Sequence, residues 1–258
     1  MNKILEEKLV AYYTHYYKEE CCLPDYTQRV QNRLKEEDQD HERLLKLEKW
    51  LDWDFHHKKH FIVGAGTAGL AVVLYQRYQA EVFGIEPSAP EMEIIKLKAA
   101  EYGFPPENFK QEFGEQLSAP SNTFDFIYCI TVLEHVQNVE KCLQEMIRIV
   151  KPGGKVYINT PNYAYPYEGH YKINLPTWSK WLSRWWLKAL GKSDQFLKTI
   201  NLFSASDLDR LLQKQKGIVW QRIYEPLSLS SGSWGRLLNF LKFKMNIYPT
   251  QNIVITKL

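Results

Sequence analysis

The stretch Phe61-Ile-Val-Gly64-Ala-Gly66-Thr-Ala-Gly69-Leu-Ala-Val-Val-Leu74 reads as a strand, a glycine-rich turn and a helix. Glycine at 64 permits the tight turn, Gly66 lets a ligand approach the backbone, and Gly69 allows close packing of the helix on the strand. The next strand, Glu81-Val-Phe-Gly-Ile-Glu86-Pro87, ends in a carboxylate seventeen residues beyond Gly69. A carboxylate at that point can accept hydrogen bonds from both hydroxyls of a ribose.

Outward from this unit, short apolar runs alternate with helical periodicity, the pattern of a parallel sheet wrapped by helices. Strands are expected at residues 60–64, 81–85, 124–130, 155–160, 218–224 and 251–256, with a weaker one at 108–112 diluted by Pro105 and Pro106. Helices are expected at 68–79, 90–102, 138–150 and 205–216. Upstream, Ile4, Leu5, Leu9, Tyr12, Tyr13 and Tyr16 recur at helical spacing over residues 2–20, and a second helical stretch spans 27–53. Its charged run from Lys35 to Arg43 is expected to be a solvated face. The chain thus divides into a helical extension, residues 1–58, and an α/β domain, 59–258, with insertions at about 161–203 and 226–248. Insertions of that length at the carboxyl ends of strands are commonly lids or walls of a site.

A glycine turn with a distal carboxylate does not name its ligand, because nicotinamide and flavin dinucleotides and S-adenosylmethionine all carry a ribose. The string Gly-Ala-Gly-Thr-Ala-Gly-Leu also looks like a flavoprotein fingerprint. The downstream segments are more specific. Phe124-Asp-Phe-Ile-Tyr-Cys-Ile130 is followed by Thr131-Val-Leu133-Glu134-His135-Val136, and a helix then runs into Lys151-Pro-Gly-Gly154 before the next strand. In this order the segments resemble the class I S-adenosylmethionine-dependent methyltransferases, particularly the small-molecule, ubiquinone-biosynthesis-type group. The resemblance covers residues 60–160 and continues more generally in Asn201-Leu-Phe-Ser204 and Asn252-Ile-Val-Ile255. It implies a Rossmann-like seven-stranded methyltransferase sheet with an N-terminal helical extension and helical cap insertions. It also implies S-adenosylmethionine as cofactor and S-adenosylhomocysteine as product. Gly64, Ala65 and Gly66 would then face the methionine moiety, Glu86 the ribose, and Ile130 the pocket wall. Glu115 or Gln116 would lie beside the adenine, with Pro87 and Met92 as weaker contacts. Members of the group often carry an acidic residue two positions before the first glycine, where this chain has Ile62. The Lys-Pro-Gly-Gly segment is read as a helix stop and turn, and Leu133 as core. His135 is read either as a packed residue or as a base, and Glu134 as favouring a helix N-terminus.

Methyl transfer from a sulfonium is an in-line displacement, so positioning carries much of it and a base is needed only when the acceptor holds its proton. The loop Thr160-Pro-Asn-Tyr163-Ala-Tyr165-Pro-Tyr167-Glu168-Gly-His170-Tyr171-Lys172 leaves the sheet on its ligand side. His170 is the candidate base or substrate hydrogen-bonder, Glu168 its orienting partner, and Tyr163, Tyr167 and Tyr171 candidate substrate contacts. An aromatic surface turn is the competing reading of the same loop. The amino-terminal helices are expected to close over the cofactor, bringing Tyr13, Tyr17, Arg29 or Arg33 near its carboxylate or the substrate; pairing with Glu36 and Glu37 is the other fate open to the arginines. A helix follows at Leu175–Gly191, with Thr177 as its cap and Gly191 as its end. Its stripe of Trp178, Trp181, Leu182, Trp185 and Trp186 among cations is expected to pack over the active site, with interfacial binding to a lipid surface as the alternative. The second insertion repeats that chemistry around Trp234 and Phe243.

Composition removes several classes. No apolar run approaches the roughly 20 residues of a membrane span, and the charged start lacks a signal peptide's apolar stretch, so a cytoplasmic location is expected. Cys21, Cys22, Cys129 and Cys142 have no metal-ligand spacing and are read as free thiols. His56, His57 and His60, beside Lys58 and Lys59, are read as a solvated loop, and no metal is expected. Residues 1–150 carry 17 Lys and Arg against 25 Asp and Glu, while 151–258 carry 16 against 5. The basic second half suits an anionic small-molecule or peptide acceptor, or a lipid surface, while the lack of a nucleic-acid motif argues against DNA or RNA. Transfer to oxygen, of a carboxylate or hydroxyl, is the leading reading. Transfer to nitrogen, a dinucleotide-binding oxidoreductase and a catalytically silent cofactor-binding module are the alternatives.

Overall fold

A computed structural model describes residues 1–223, 246 and 248–258. The chain enters through α1 (Lys3–Thr14), capped by Asn2, whose side chain accepts from the Leu5 N–H at 2.9 Å. The expected single helix over 2–20 changes character at its end, where His15–Glu20 forms a π-helical turn. The second stretch is likewise two helices, α2 (Tyr26–Arg33) and α3 (Glu36–Leu51).

The sheet is built from β1 (Lys59–Val63), β2 (Glu81–Ile85), β3 (Phe109–Lys110), β4 (Phe124–Ile130), β5 (Val150–Pro161), β8 (Ile218–Ile223) and β9 (Thr250–Lys257). Its order is β3-β2-β1-β4-β5-β9-β8, with β9 antiparallel to both neighbours. Side chains alternate between its two faces, as the pleat requires. Ile62, Phe126, Tyr128 and Tyr157 meet α3, α4 (Gly69–Tyr78) and α5 (Ala89–Tyr102). Phe61, Val63, Ile127, Cys129, Val156 and Ile158 meet α6 (Val139–Ile149) and α9 (Ala205–Lys214). Each such Val, Ile, Leu or Phe contributes about 1.5 to 3 kcal/mol by leaving water, so the two apolar layers dominate the stability of the sheet.

The Lys151-Pro-Gly-Gly154 segment is a bulge inside one long strand, not a turn before it: Phe124 pairs with Val150 but Phe126 already pairs with Lys155. A Cβ at Gly154 would meet the Asp125 carbonyl oxygen at 2.9 Å, which is why glycine stands there. His60 does not join a solvated loop. It is buried in β1, with Nδ1 3.1 Å from the Tyr128 hydroxyl and Nε2 3.0 Å from the Phe55 carbonyl, and burial lowers its pKa to about 4.

The first insertion, after β5, folds as the hairpin β6 (Tyr167–Glu168) and β7 (Ile173–Asn174), then α7 (Lys180–Ala189) and α8 (Gln195–Thr199). Tyr163, Tyr171, Leu175, Leu187, Leu197 and Ile200 give it a small core of its own. Of the second insertion, Trp234 and Phe243 lie outside the described residues.

Candidate active site

The glycine turn is held to the strand beside it by the Ala65 N–H, which donates to the Ile85 carbonyl at 2.8 Å. Gly64 has φ +67°, and a Cβ there would stand 2.4 Å from Val132, so the segment after β4 closes directly onto the turn. Gly66 has φ +54°, and its Cβ direction meets no atom within 4 Å. Open space therefore lies over the backbone where a ligand would approach. Glu86, 7% exposed, faces the same turn: one carboxylate oxygen accepts from the Gly66 N–H at 2.7 Å and the other from the Ser88 N–H at 3.0 Å. A carboxylate has about four acceptor positions, so capacity for two further hydroxyls remains. Burial raises its pKa, and the two backbone donors oppose that rise. Pro87 and Ile130 are half-buried, just past β2 and at the end of β4, and Met92 is a buried residue of α5.

Gly69 has a different reason from the one expected. A Cβ there would meet Glu36 Cγ at 2.7 Å and Asp40 Oδ2 at 2.9 Å, so it makes room for α3 rather than for the strand. The charged run in α3 is correspondingly not all solvated: Glu36 and Asp40, one helical turn apart, continue the inward stripe of Leu44 and Leu47. The Glu36 carboxylate sits at the start of α4 with the Tyr13 hydroxyl at 2.6 Å, Thr67 Oγ1 at 2.6 Å, Lys98 Nζ at 2.5 Å and Arg33 at 3.0 Å. Arg33 also donates to Tyr13 Oη at 3.0 Å and lies over its ring, while Tyr17 stacks on Tyr13 at 6.2 Å. Arg29 pairs with Asp25 at 2.7 Å. The amino-terminal helices thus grip the glycine turn through Thr67.

On the other flank, Gly114 lets its loop lie against Val63 and Cys142; a Cβ would be 2.8 Å from that sulfur. Glu115 accepts from the Gln137 and Asn138 N–H groups at 2.5 and 3.1 Å, anchoring the start of α6. Glu115 and Gln116 also line a cavity of about 560 Å³ with Phe113, Asn138 and Lys141, a cavity whose lining includes neither Glu86 nor the glycine turn.

At the carboxyl edge of β4 and β5 the insertion brings titratable groups together. Glu168 is fully buried; one oxygen stands 2.7 Å from His170 Nδ1 and the other accepts from the Tyr171 N–H at 2.9 Å. The His170 ring stacks on Phe196 with centroids 4.7 Å apart and meets His135 edge-on at 5.3 Å. Part of His135 reaches solvent, but its protein surroundings and then the His170 imidazole pull its pKa down to about 4. Glu134, 2% exposed, accepts from the Thr160 hydroxyl at 2.9 Å, and burial lifts its pKa to about 7. The Tyr163 hydroxyl is buried, feels both Glu168 and Glu134, and has no hydrogen-bond partner among the described residues. Tyr171 is buried against Phe196, whereas Tyr167 is exposed at the hairpin.

A family model described as a methyltransferase domain matches residues 24–216. The chain belongs to that family of S-adenosylmethionine-dependent methyltransferases. A ubiquinone biosynthesis O-methyltransferase of Pectobacterium atrosepticum is 30% identical over 105 residues, covering 41% of this chain and 43% of that protein. The enzyme of the same name from Escherichia coli O7:K1 is 26% identical over 160 residues, covering 52% and 66%. The methyltransferase thus spans less than two thirds of the length of these relatives. Among solved structures, the YcgJ protein of Bacillus subtilis superposes with a TM-score of 0.56 at 18% identity, covering 84% of this chain and 98% of that one. The cyclase SpnF gives 0.55 at 17% identity, covering 83% and 80%. Such distant likenesses show the fold alone.

Sequence reasoning about the methyltransferase offered Glu36 as a partner for Arg33, three residues before it, and the pair forms, but it missed the rest of the cluster, because Tyr13, Thr67 and Lys98 come from separate segments. It misplaced the tryptophans. Trp178, Trp181, Trp185 and Trp186 are 77, 72, 58 and 46% exposed, so the stripe points away from the site; Ser183 and Leu187 face inward instead. The helix is capped by Ser179, not Thr177, whose buried hydroxyl donates to the Tyr163 carbonyl at 2.7 Å.

Proposed function

We propose that this methyltransferase transfers the sulfonium methyl of S-adenosylmethionine to a hydroxyl oxygen of a small acceptor, with His170 as general base. The observation that carries this reading is the His170–Glu168 pair, 2.7 Å apart at the ligand edge of the sheet. A hydroxyl of phenolic type holds its proton up to a pKa of about 10, so a base is required at neutral pH. Glu168 accepts from Nδ1–H and thereby leaves Nε2 with its lone pair for the acceptor proton, the logic by which a carboxylate sets an imidazole tautomer. Tyr163, with a buried hydroxyl that is unpaired among the described residues, is the donor for an acceptor oxygen, and His135, kept neutral by its low pKa, adds no competing charge beside the base. The naming of the curated relatives as O-methyltransferases supports oxygen over nitrogen as the receiving atom.

The residues at the glycine turn fit the cofactor: the open space over Gly66 suits the close approach of its methionine part, and the buried Glu86 carboxylate retains acceptor positions for the ribose hydroxyls. Gly64 and Ala65 complete that wall, Ile130 and Pro87 flank it, and Glu115 or Gln116 lies on the adenine side. When bound, S-adenosylmethionine supplies the electrophilic methyl; the protein's part is to align the oxygen and take its proton. Helices α1 to α3 serve as the outer wall of this site, a reading supported by the Tyr13 hydroxyl reaching Thr67 Oγ1 at 2.7 Å.

Calorimetry and product analysis test the proposal together. Purified protein should bind S-adenosylmethionine but not nicotinamide or flavin dinucleotides, and Glu86→Ala should weaken that binding by about 1 to 3 kcal/mol, the scale of a hydrogen bond to a charged group. Labelled methyl should then appear in hydroxylated acceptors. Tight dinucleotide binding without S-adenosylmethionine binding, or methylation of amines alone, would overturn it.

A further inference from the structure

We infer that α7 is a docking surface for an anionic phospholipid bilayer. At about 100° per residue, the helix has three distinct sides. Ser183 and Leu187 face inward, with Leu187 fully buried in the small core of the insertion. Lys180, Arg184 and Lys188, spaced four apart, form one exposed edge. Trp181 and Trp185 lie beyond that edge, roughly opposite the buried side, and Leu182 and Trp186 carry the surface round to the other flank.

Four indoles at 46 to 77% exposure within nine residues are not an ordinary solvated surface. Indoles favour the headgroup level of a bilayer, and a helix bearing cations beside tryptophan and leucine lies in the plane of that interface. Charge selects this occupant over an apolar protein groove. From Tyr171 to Ser193 the chain has five Lys and Arg and no acidic residue. Arg184 shares Asp194 with Lys198, whereas Lys180 and Lys188 have no ion pair among the described residues. A groove of about 480 Å³ is lined by Trp181, Trp185, Arg184, Lys188 and Lys192 together with Asp194, whose charge Arg184 and Lys198 answer; it sets indole for the interfacial level beside cations for the phosphate. The surface is rooted in the active-site insertion, since Leu187 packs in the same core as Tyr163 and Tyr171. Docking through the outward face of α7 therefore holds at the membrane surface the same insertion that carries His170.

Co-sedimentation of the full chain with phosphatidylcholine vesicles, with and without phosphatidylglycerol, tests this. Partition should rise strongly with phosphatidylglycerol, fall with added salt, and shift tryptophan emission to the blue. W181A/W185A and, separately, K180Q/K188Q should each lower partition on anionic vesicles by about tenfold or more. All four side chains are exposed, so S-adenosylmethionine binding should persist in both variants and report their folding. Absence of wild-type binding to anionic vesicles at low salt, or equal binding by both variants, overturns the inference. So does self-association in sedimentation velocity that W181A/W185A abolishes while vesicles recruit nothing.

Discussion

Two carboxylate clusters flank the ligand edge of the sheet, and they differ in completeness. Around Glu36 every polar group is answered: Tyr13, Arg33, Thr67 and Lys98 all reach the same carboxylate. Burial alone would raise its pKa, but the charges of Lys98 and Arg33 outweigh that and hold it below the ordinary value. Around Glu168 the pattern is open. The carboxylate orients His170 through Nδ1, Nε2 of that ring and the Tyr163 hydroxyl have no hydrogen-bond partner among the described residues, and Glu134 is pushed towards neutrality. A closed network locks one arrangement, whereas an open one keeps donors and acceptors available for a ligand.

The contrast can be broken by mutation. His170→Ala should lower turnover on a hydroxyl acceptor by ~10² to 10⁴, with the deficit shrinking as pH rises and hydroxide replaces the lost base. A steady deficit at all pH values would make His170 a positioning residue. Lys98→Met should instead strike stability, lowering the unfolding free energy in urea by about 3 to 5 kcal/mol because Glu36 keeps its charge with one fewer counterion. Loss of turnover without loss of stability would move the Glu36 cluster into the chemistry.

The clusters should also respond oppositely to pH. Glu134 has a folded pKa near 7 against 4.5 unfolded, so its contribution is full below pH 4.5 and is lost as pH rises towards 7. Glu134→Gln should remove that fall, a difference on the order of 3 kcal/mol between the two stability profiles. Glu36 has a lowered pKa, and its contribution is present above the unfolded value and lost as pH falls through the folded one. The smallest effect is expected for Tyr13→Phe, about 1.5 to 3 kcal/mol in urea unfolding for a hydrogen bond to a charged group, with cofactor affinity unchanged if the hydroxyl serves only the closed cluster.

The sheet was legible because its signals are local. Strand runs, the turn before Thr67 and the acidic residue Glu86 are each written within a few residues, and the arrangement they build was implied by the resemblance of segments 60 to 160 to the methyltransferases. The His170–Glu168 pair was legible for the same reason, two residues apart in one loop. The role of Gly69 was not, because the atoms its missing side chain admits belong to Glu36 and Asp40, some thirty residues upstream. Periodicity likewise placed the tryptophans of α7 on one side but could not say which side faced in.

By itself, then, the sequence determined the layering of the fold, the glycine turn, the carboxylate just past β2 and the composition of the loop after β5, since backbone conformation and apolar period depend on neighbours in the chain. Only the tertiary structure decided that Glu36 lies inside, that His135 meets His170, that Tyr163 has an unanswered hydroxyl among the described residues, and that α7 turns its tryptophans outward. The physical reason is that burial and polar pairing are settled by which distant segments meet. A charged or aromatic side chain carries the same letter whether its partner is water, another side chain or a lipid headgroup.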